Sequence, residues 1–214
     1  MTWTREGWIY LNGASVTPVQ PEVRAAMERF LDASQTAGTV GYREVFAHVD
    51  EVRARCGELI GAPARQVFFP RNTTAGLNAF ALSFPFARDR GIALPEQEFP
   101  ANVRPWLHAS TQTGAPIRWI PMPGHRVEAA DVDAALDAGA EVLAISHVQY
   151  LGGFRADLVD LGARCRARGA WLVVDAVQAL GCWPLDVGAV QPDLVSASSH
   201  KALGCLEGIG IGYA

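Results

Sequence analysis

The feature that most constrains this chain is an alternation of short β-rich or apolar runs with helical patterns. The runs fall at residues 67–70, 91–95, 117–121, 142–147, 171–175, 193–197 and 208–213. Between them, residues 21–33 open with Pro21 and Glu22, as helix starts often do. Residues 45–60 carry Val45, Val49, Val52, Cys56 and Leu59 at helical spacing, and residues 132–138 and 158–168 repeat that logic. Strands alternating with helices predict a three-layer α/β sandwich, a mostly parallel seven-stranded sheet with helices on both faces. We divide the chain into an N-terminal segment, 1–44, and a large ligand-binding domain, 45–214.

Ligands of such sheets bind at the carboxyl ends of the strands. That rule selects residues 71–74, 98–99, 147–150, 175–178 and 198–201, which are also the most polar segments of the chain. Composition excludes other classes. A net charge of −4 with scattered basic residues gives no nucleic-acid footprint. No apolar run approaches the length of a membrane span, and Met1-Thr2-Trp3-Thr4-Arg5-Glu6 lacks the layout of a signal peptide. Cys56, Cys165, Cys182 and Cys205 show neither metal-ligand nor redox spacing, so reduced thiols, a cytoplasmic setting and no metal are expected.

One residue stands apart. Lys201 is the only lysine, against seventeen arginines, and it lies in Ser198-Ser199-His200-Lys201 after a predicted strand. A lysine can become a neutral amine and condense with an aldehyde; the alternative is that arginine-rich coding left one lysine on the surface by accident. Around it, Asn72-Thr73-Thr74-Ala75-Gly76-Leu77-Asn78 opens a helix after a strand, and its free N–H groups suit either a phosphate or a plain cap. Asp175 ends the apolar strand Trp171-Leu172-Val173-Val174, where an unpaired carboxylate is costly, so it must meet a cation or a strong donor or cap the next segment. Gln178 can donate to a phenolate-like oxygen, and Phe99 can cover an aromatic ring or pack as a core residue. A phosphate cradle, a carboxylate for a pyridinium, an amide, an aromatic lid and an aldehyde-reactive lysine together fit pyridoxal 5′-phosphate.

These segments, with Tyr10-Leu11-Asn12-Gly13-Ala14-Ser15, Glu98-Phe99-Pro100-Ala101-Asn102, Val148-Gln149-Tyr150, and Gly153-Phe154-Arg155-Ala156-Asp157-Leu158, resemble fold-type I pyridoxal-phosphate enzymes of the class V aminotransferase group. That group includes cysteine desulfurases and isopenicillin N epimerase-like proteins. The resemblance implies that Lys201 holds the cofactor as a Schiff base and serves as the base at the substrate Cα. It implies that Asp175 pairs with the ring nitrogen and that Gln178 contacts the ring hydroxyl. Phe99 would stack on the ring, and Thr73, Thr74, Ala75, Ser198 and His200 would line the phosphate site. It also implies a seven-stranded large domain whose last strand is antiparallel, without the family's small C-terminal domain. The expected partners are an amino-acid substrate and either a second copy of the chain or a complementing C-terminal polypeptide.

Desulfurases of the group carry a stacking histidine where Phe99 stands and an asparagine where Tyr150 stands, and no cysteine here occupies the nucleophile's place. The expected activity is therefore Cα chemistry of the epimerase or transaminase type. The alternatives are a desulfurase or C–S lyase variant, or a truncated, non-catalytic chain. Cys205 is expected to pack as a small hydrophobe before the last strand. His147 and Arg155 are expected either to make structural contacts or to touch cofactor or substrate. Gly208-Ile209-Gly210-Ile211-Gly212 has no helix after it and reads as a glycine-rich strand.

Overall fold

The structure, a computed structural model, describes Thr4, Arg5 and residues 7–214. Four of the six residues read against a signal peptide, Met1, Thr2, Trp3 and Glu6, lie outside the described residues. In chain order the elements are β1 (Thr4–Arg5), β2 (Trp8–Ile9), α1 (Pro21–Ala37), α2 (Tyr42–Ile60), β3 (Val67–Phe68), α3 (Thr73–Ser83), β4 (Gly91–Pro95) and α4 (Arg104–Thr113). There follow β5 (Ile117–Ile120), α5 (Ala129–Asp137), β6 (Ala140–Ser146), α6 (Leu158–Ala167), β7 (Trp171–Asp175), α7 (Val187–Val190), β8 (Leu194–Ser198) and β9 (Gly210–Tyr213).

All seven predicted runs are strands of one sheet, ordered β3-β9-β8-β7-β6-β4-β5. Strand β9 runs antiparallel to both of its neighbours, and the other pairings are parallel. The chain leaves β4 for β5 on one side, then returns to lay β6 on the other. That reversal is a topological switch point, and it opens a crevice above the carboxyl ends of β4 and β6. The segments that follow these two strands carry Glu98 and Phe99 on one side and Gln149 and Tyr150 on the other.

Each central strand buries both faces, which explains why the runs read as continuous apolar stretches rather than alternating ones. Ile92, Leu94, Val142, Ala144 and Val173 pack under Leu77 and Ala81 of α3 and Trp106 and Ala109 of α4. Their neighbours Ala93, Leu143, Ile145, Leu172 and Val174 face the other way, against Val132 of α5, Leu158, Leu161 and Cys165 of α6, and Val187 and Val190 of α7. Burying a Val, Leu or Ile side chain contributes roughly 1.5–3 kcal/mol, so these two clusters dominate the stability of the domain. Arg164 on α6 and Arg168 just past its end reach Asp133 and Asp137 on α5, joining the two helices at the surface.

Where the elements depart from the sequence reading, local backbone chemistry accounts for it. Helix α1 continues past residue 33 because Ser34, Gln35, Thr36 and Ala37 lack apolar spacing yet stay helical until Gly38. Gly38 adopts φ 50° and its N–H closes on the Ser34 carbonyl. A 3₁₀ turn, Gly38–Gly41, then winds directly into α2, which therefore begins at Tyr42 rather than at residue 45. Helix α4 escaped notice because only Trp106 and Ala109 face the core beside Pro105, too few to show a period. Its punctuation was visible: Pro105 in the first turn and Gly114, φ 82°, just past the end. Helix α1 buries none of its residues, and Met27, Phe30 and Leu31 lie exposed along it.

Gly76 is required where α3 crosses β8. A Cβ there would fall 2.3 Å from Ser196 Oγ and 2.9 Å from Ser196 Cβ. Ser196 Oγ is itself held, donating to the Thr73 carbonyl at 3.0 Å. Gly76→Ala is expected to lower stability by about 1–3 kcal/mol through overpacking, read as an earlier urea-unfolding midpoint with an unchanged slope.

Candidate active site

At the crevice lies a cavity of about 650 Å³ whose wall includes Thr73, Thr74, Phe99, Asp175, Gln178, Ser198, His200 and Lys201. Eight of the nine predicted site residues thus meet, drawn from the ends of β4, β7 and β8 and the start of α3. Ala75 does not reach the wall. Its amide is taken by the side chain of Asn72, which caps α3 by accepting from Ala75 N at 2.8 Å. Sequence reading missed Asn12, Ser15 and Val16, which close one side of the cavity, and Glu207 and Gly208 before β9. The N-terminal segment is held there by backbone bonds from Thr17 to the His200 carbonyl at 2.8 Å and from Gln20 to the Gly204 carbonyl at 3.4 Å. Such contacts leave no trace in a pattern of residue types.

The phosphate end is built by a reciprocal latch. Thr73 N donates to Ser198 Oγ at 2.8 Å, Ser198 N donates to Thr73 Oγ1 at 2.8 Å, and the two hydroxyls share a hydrogen bond at 2.9 Å. Two hydroxyls contain two hydrogens, and only one lies between them, so the other is free to donate outward. With Thr73 N on Ser198 and Ala75 N on Asn72, Thr74 has the first-turn amide of α3 left without a partner among the described residues. A free N–H, a free O–H and a helix N-terminus face the same space, which suits an anion. His200 lies beside it, its imidazole pushed below the ordinary 6.5 by burial and by the Lys201 charge.

Asp175 marks the opposite end. It is 1% exposed, accepts one hydrogen bond at Oδ1 from Val177 N at 2.9 Å, and has no partner at Oδ2. Burial pushes its carboxyl from 3.8 to about 7, with Glu98 adding to the rise and Val177 and Lys201 opposing it. Lys201 is half-buried, and burial pulls its amine below the ordinary 10.5 against the attraction of Asp175. Its Nζ stands 5.7 Å from the centre of the Phe99 ring, which meets Tyr150 edge-on at 5.2 Å. Phe99 is 42% exposed, so it is a wall of the cavity and not a core residue.

None of the four cysteines lines this cavity. Cys205 is half-buried in the turn before β9, its Sγ 3.7 Å from the Leu203 carbonyl and its thiol pushed up by burial, as expected of a packed sulfur. His147 and Arg155 line a separate cavity, on the α6 and α7 side of the sheet. The His147 side chain follows Ile145 to that face, and Arg155 stacks on Trp183 at 4.6 Å, so neither touches the space around Lys201. Of the glycine-rich run, Gly210, Ile211 and Gly212 belong to strand β9, while Gly208 and Ile209 precede it and Gly208 lines the cavity.

The donor set fits pyridoxal phosphate. An orphaned, fully buried carboxylate oxygen calls for a cationic donor, the lysine amine stands across an aromatic wall, and the anion cradle lies beyond. An open α/β sheet with this constellation at its switch point has the fold and the donor set of a pyridoxal-phosphate-binding protein. Residues 9–214 match the family described as aminotransferase class-V, and the chain belongs to that family. It is 28% identical over 210 residues to a probable cysteine desulfurase of Methanothermobacter thermautotrophicus, covering 96% of this chain and 52% of that protein. It is 30% identical over 215 residues to the cysteine desulfurase IscS of Klebsiella pneumoniae, covering 96% and 53%. The structure superposes on a cysteine desulfurase from Thermococcus onnurineus with TM-score 0.85 and 25% identity, covering 95% of this chain and 52% of that one. The chain therefore spans about half the length of the relatives it matches.

Two buried groups give opposite pH signatures. Asp175 is raised from 3.8 to about 7, so the folded chain retains a proton the unfolded chain has lost, and stability falls as pH rises through that window. Glu98 and Asp193, both raised by burial, act in the same direction. His147 is lowered from 6.5 to about 4, so stability rises with pH across its window. Three raised acids outweigh one lowered imidazole, so melting temperatures of the cofactor-free chain should fall as pH rises from about 4 to 7 and level off above that. Asp175→Asn should make that fall shallower.

Proposed function

We propose that this chain binds pyridoxal 5′-phosphate through Lys201 and acts at the Cα of an amino acid. The observation that carries the reading is Asp175 Oδ2, buried and unpartnered at one end of the cavity that contains the only lysine. When bound, the cofactor supplies an electron sink that acidifies the Cα–H of an attached amino acid.

The chain's own groups divide the remaining work. Lys201 Nζ, its proton held less tightly because of burial, would hold the cofactor and then take up the Cα proton. Asp175 Oδ2 would pair with the ring nitrogen and favour its protonated form. Gln178 would contact the ring hydroxyl oxygen, and Phe99 would cover one face of the ring. Thr74 N, the free hydroxyl of the Thr73–Ser198 pair and His200 hold the phosphate. Asn12, Ser15 and Val16 of the N-terminal segment close one side of the cavity, and residues 45–214 act as the cofactor domain.

An aromatic wall at Phe99 stacks but relays no proton, which supports epimerisation or amino-group transfer over sulfur extraction. The second reading, a cysteine desulfurase or C–S lyase variant, is favoured by the relatives' own names. A cytoplasmic location, and a second copy or a complementing C-terminal polypeptide as partner, belong to the same proposal.

Incubated with pyridoxal phosphate, the chain should develop a long-wavelength band that borohydride fixes covalently at Lys201, and Lys201→Ala should lack it. A folded wild type without the band overturns the proposal. In the active assembly, Lys201→Ala should lower turnover by roughly 10²–10⁴-fold, the range for loss of a general base. Supplied with L-cysteine and an excess of a thiol reductant, the assembly should release no sulfide; sulfide released in step with alanine or pyruvate would move the assignment to the second reading.

A further inference from the structure

Glu98 is 5% exposed and does not line the cavity around Lys201. Its carboxylate is surrounded by donors. Oε1 accepts from Ser146 N at 2.6 Å and Gln149 Nε2 at 2.7 Å, while Oε2 accepts from Ser146 Oγ at 2.6 Å and Phe99 N at 3.3 Å. Short bonds from N–H and O–H groups to both oxygens are the setting of an ionised carboxylate. Burial pushes the group above the ordinary carboxylate range, and these hydrogen bonds pull against that rise.

Ser146 is the register partner of Asp175 across the β6–β7 pairing. In both strands this residue follows Ile145 or Val174, which face α5 to α7, so both side chains lie on the opposite face, toward α3 and α4. Glu98 therefore sits over the residue beside Asp175, and the two acids share one dry corner of the sheet. Asp175 has one donor where Glu98 has four. Two acids this close and this buried do not both ionise readily, and the one with donors takes the charge first. The other charged or titratable groups facing Asp175 from the cavity are Lys201, His200, Tyr150 and Glu207.

We propose that Glu98 is a positioning residue acting through Asp175: a fixed buried charge that makes Asp175 Oδ2 keep a proton until a basic ring nitrogen docks against it. On docking, the Oδ2–H bond breaks and an N–H bond forms, leaving a carboxylate facing a cation, with total charge unchanged and nothing oxidised or reduced. The same charge then holds that proton on the ring. The inference rests on the cofactor reading above for the identity of the nitrogen, whereas the coupling of the two acids is a property of the chain alone.

Carbon-13 NMR of carboxyl-labelled, cofactor-free chain tests the coupling directly. Glu98 should ionise at lower pH than Asp175, and Glu98→Gln should make Asp175 at least tenfold more acidic, while Glu98→Asp, which keeps the charge, restores most of the effect. In the loaded chain, Glu98→Gln should move the pH titration of the bound band toward lower pH. An Asp175 titration unmoved by Glu98→Gln overturns the inference. Should that variant not fold, the wild type still decides, because Asp175 ionising before Glu98 overturns it too. A wild type that shows the coupled titration yet never develops the reducible band sinks the cofactor reading alone.

Discussion

Three hydrogen bonds between Thr73 and Ser198 join positions 125 residues apart in the chain and fix where α3 begins relative to where β8 ends. Because each residue offers a backbone N–H and a hydroxyl, the pair closes on itself without water. Each neutral bond contributes about 0.5–1.5 kcal/mol net, so their importance lies in placement more than in energy. They set the amide of Thr74, the imidazole of His200 and the amine of Lys201 on one rim. Ser196, one turn of the pleat below, repeats the contact to the Thr73 carbonyl, and Gly76 gives it room. With those contacts made, the strand end and the helix start have few ways to move apart.

Electrostatics at the other end of the cavity follow from what is missing. Asp175 and Lys201 influence each other, but no ion pair within 4 Å joins them among the described residues. A buried carboxylate in that condition neutralises by shifting its proton affinity instead of paying a full desolvation penalty. The result is a cavity with an acid that holds its proton more tightly than usual at one end and an amine that holds its proton less tightly in the middle, a pairing suited to a ligand that brings its own basic nitrogen and its own aldehyde.

Much of this was legible in the sequence. The seven runs announced themselves because a parallel sheet covered on both faces needs unbroken apolar strands, and the polar residues at their carboxyl ends then had nowhere to be but the crevice. Lys201, Asp175 and Phe99 belong to that group. What stayed hidden depends on contacts between distant residues. Ala75 looks like a phosphate donor until Asn72 is seen to occupy its amide. His147 and Arg155 follow strand β6 closely, but the two-residue alternation sends the His147 ring through to the other face, and Trp183 holds Arg155 there. Glu98 reads as one acid in a motif; only the pairing of β6 with β7 brings it to Asp175. Asn12 and Ser15 line the cavity because of two backbone hydrogen bonds, which no side-chain type encodes.

The presence of one lysine among seventeen arginines has a chemical consequence beyond the site itself. Guanidinium groups resist acyl donors, glycating sugars and stray aldehydes that attack amines. Over the whole chain these reagents find one side-chain amine, Lys201. Adventitious acylation of side-chain amines, ordinarily spread over a protein's surface, would here be concentrated on a single cavity residue, and a bound aldehyde cofactor would shield it.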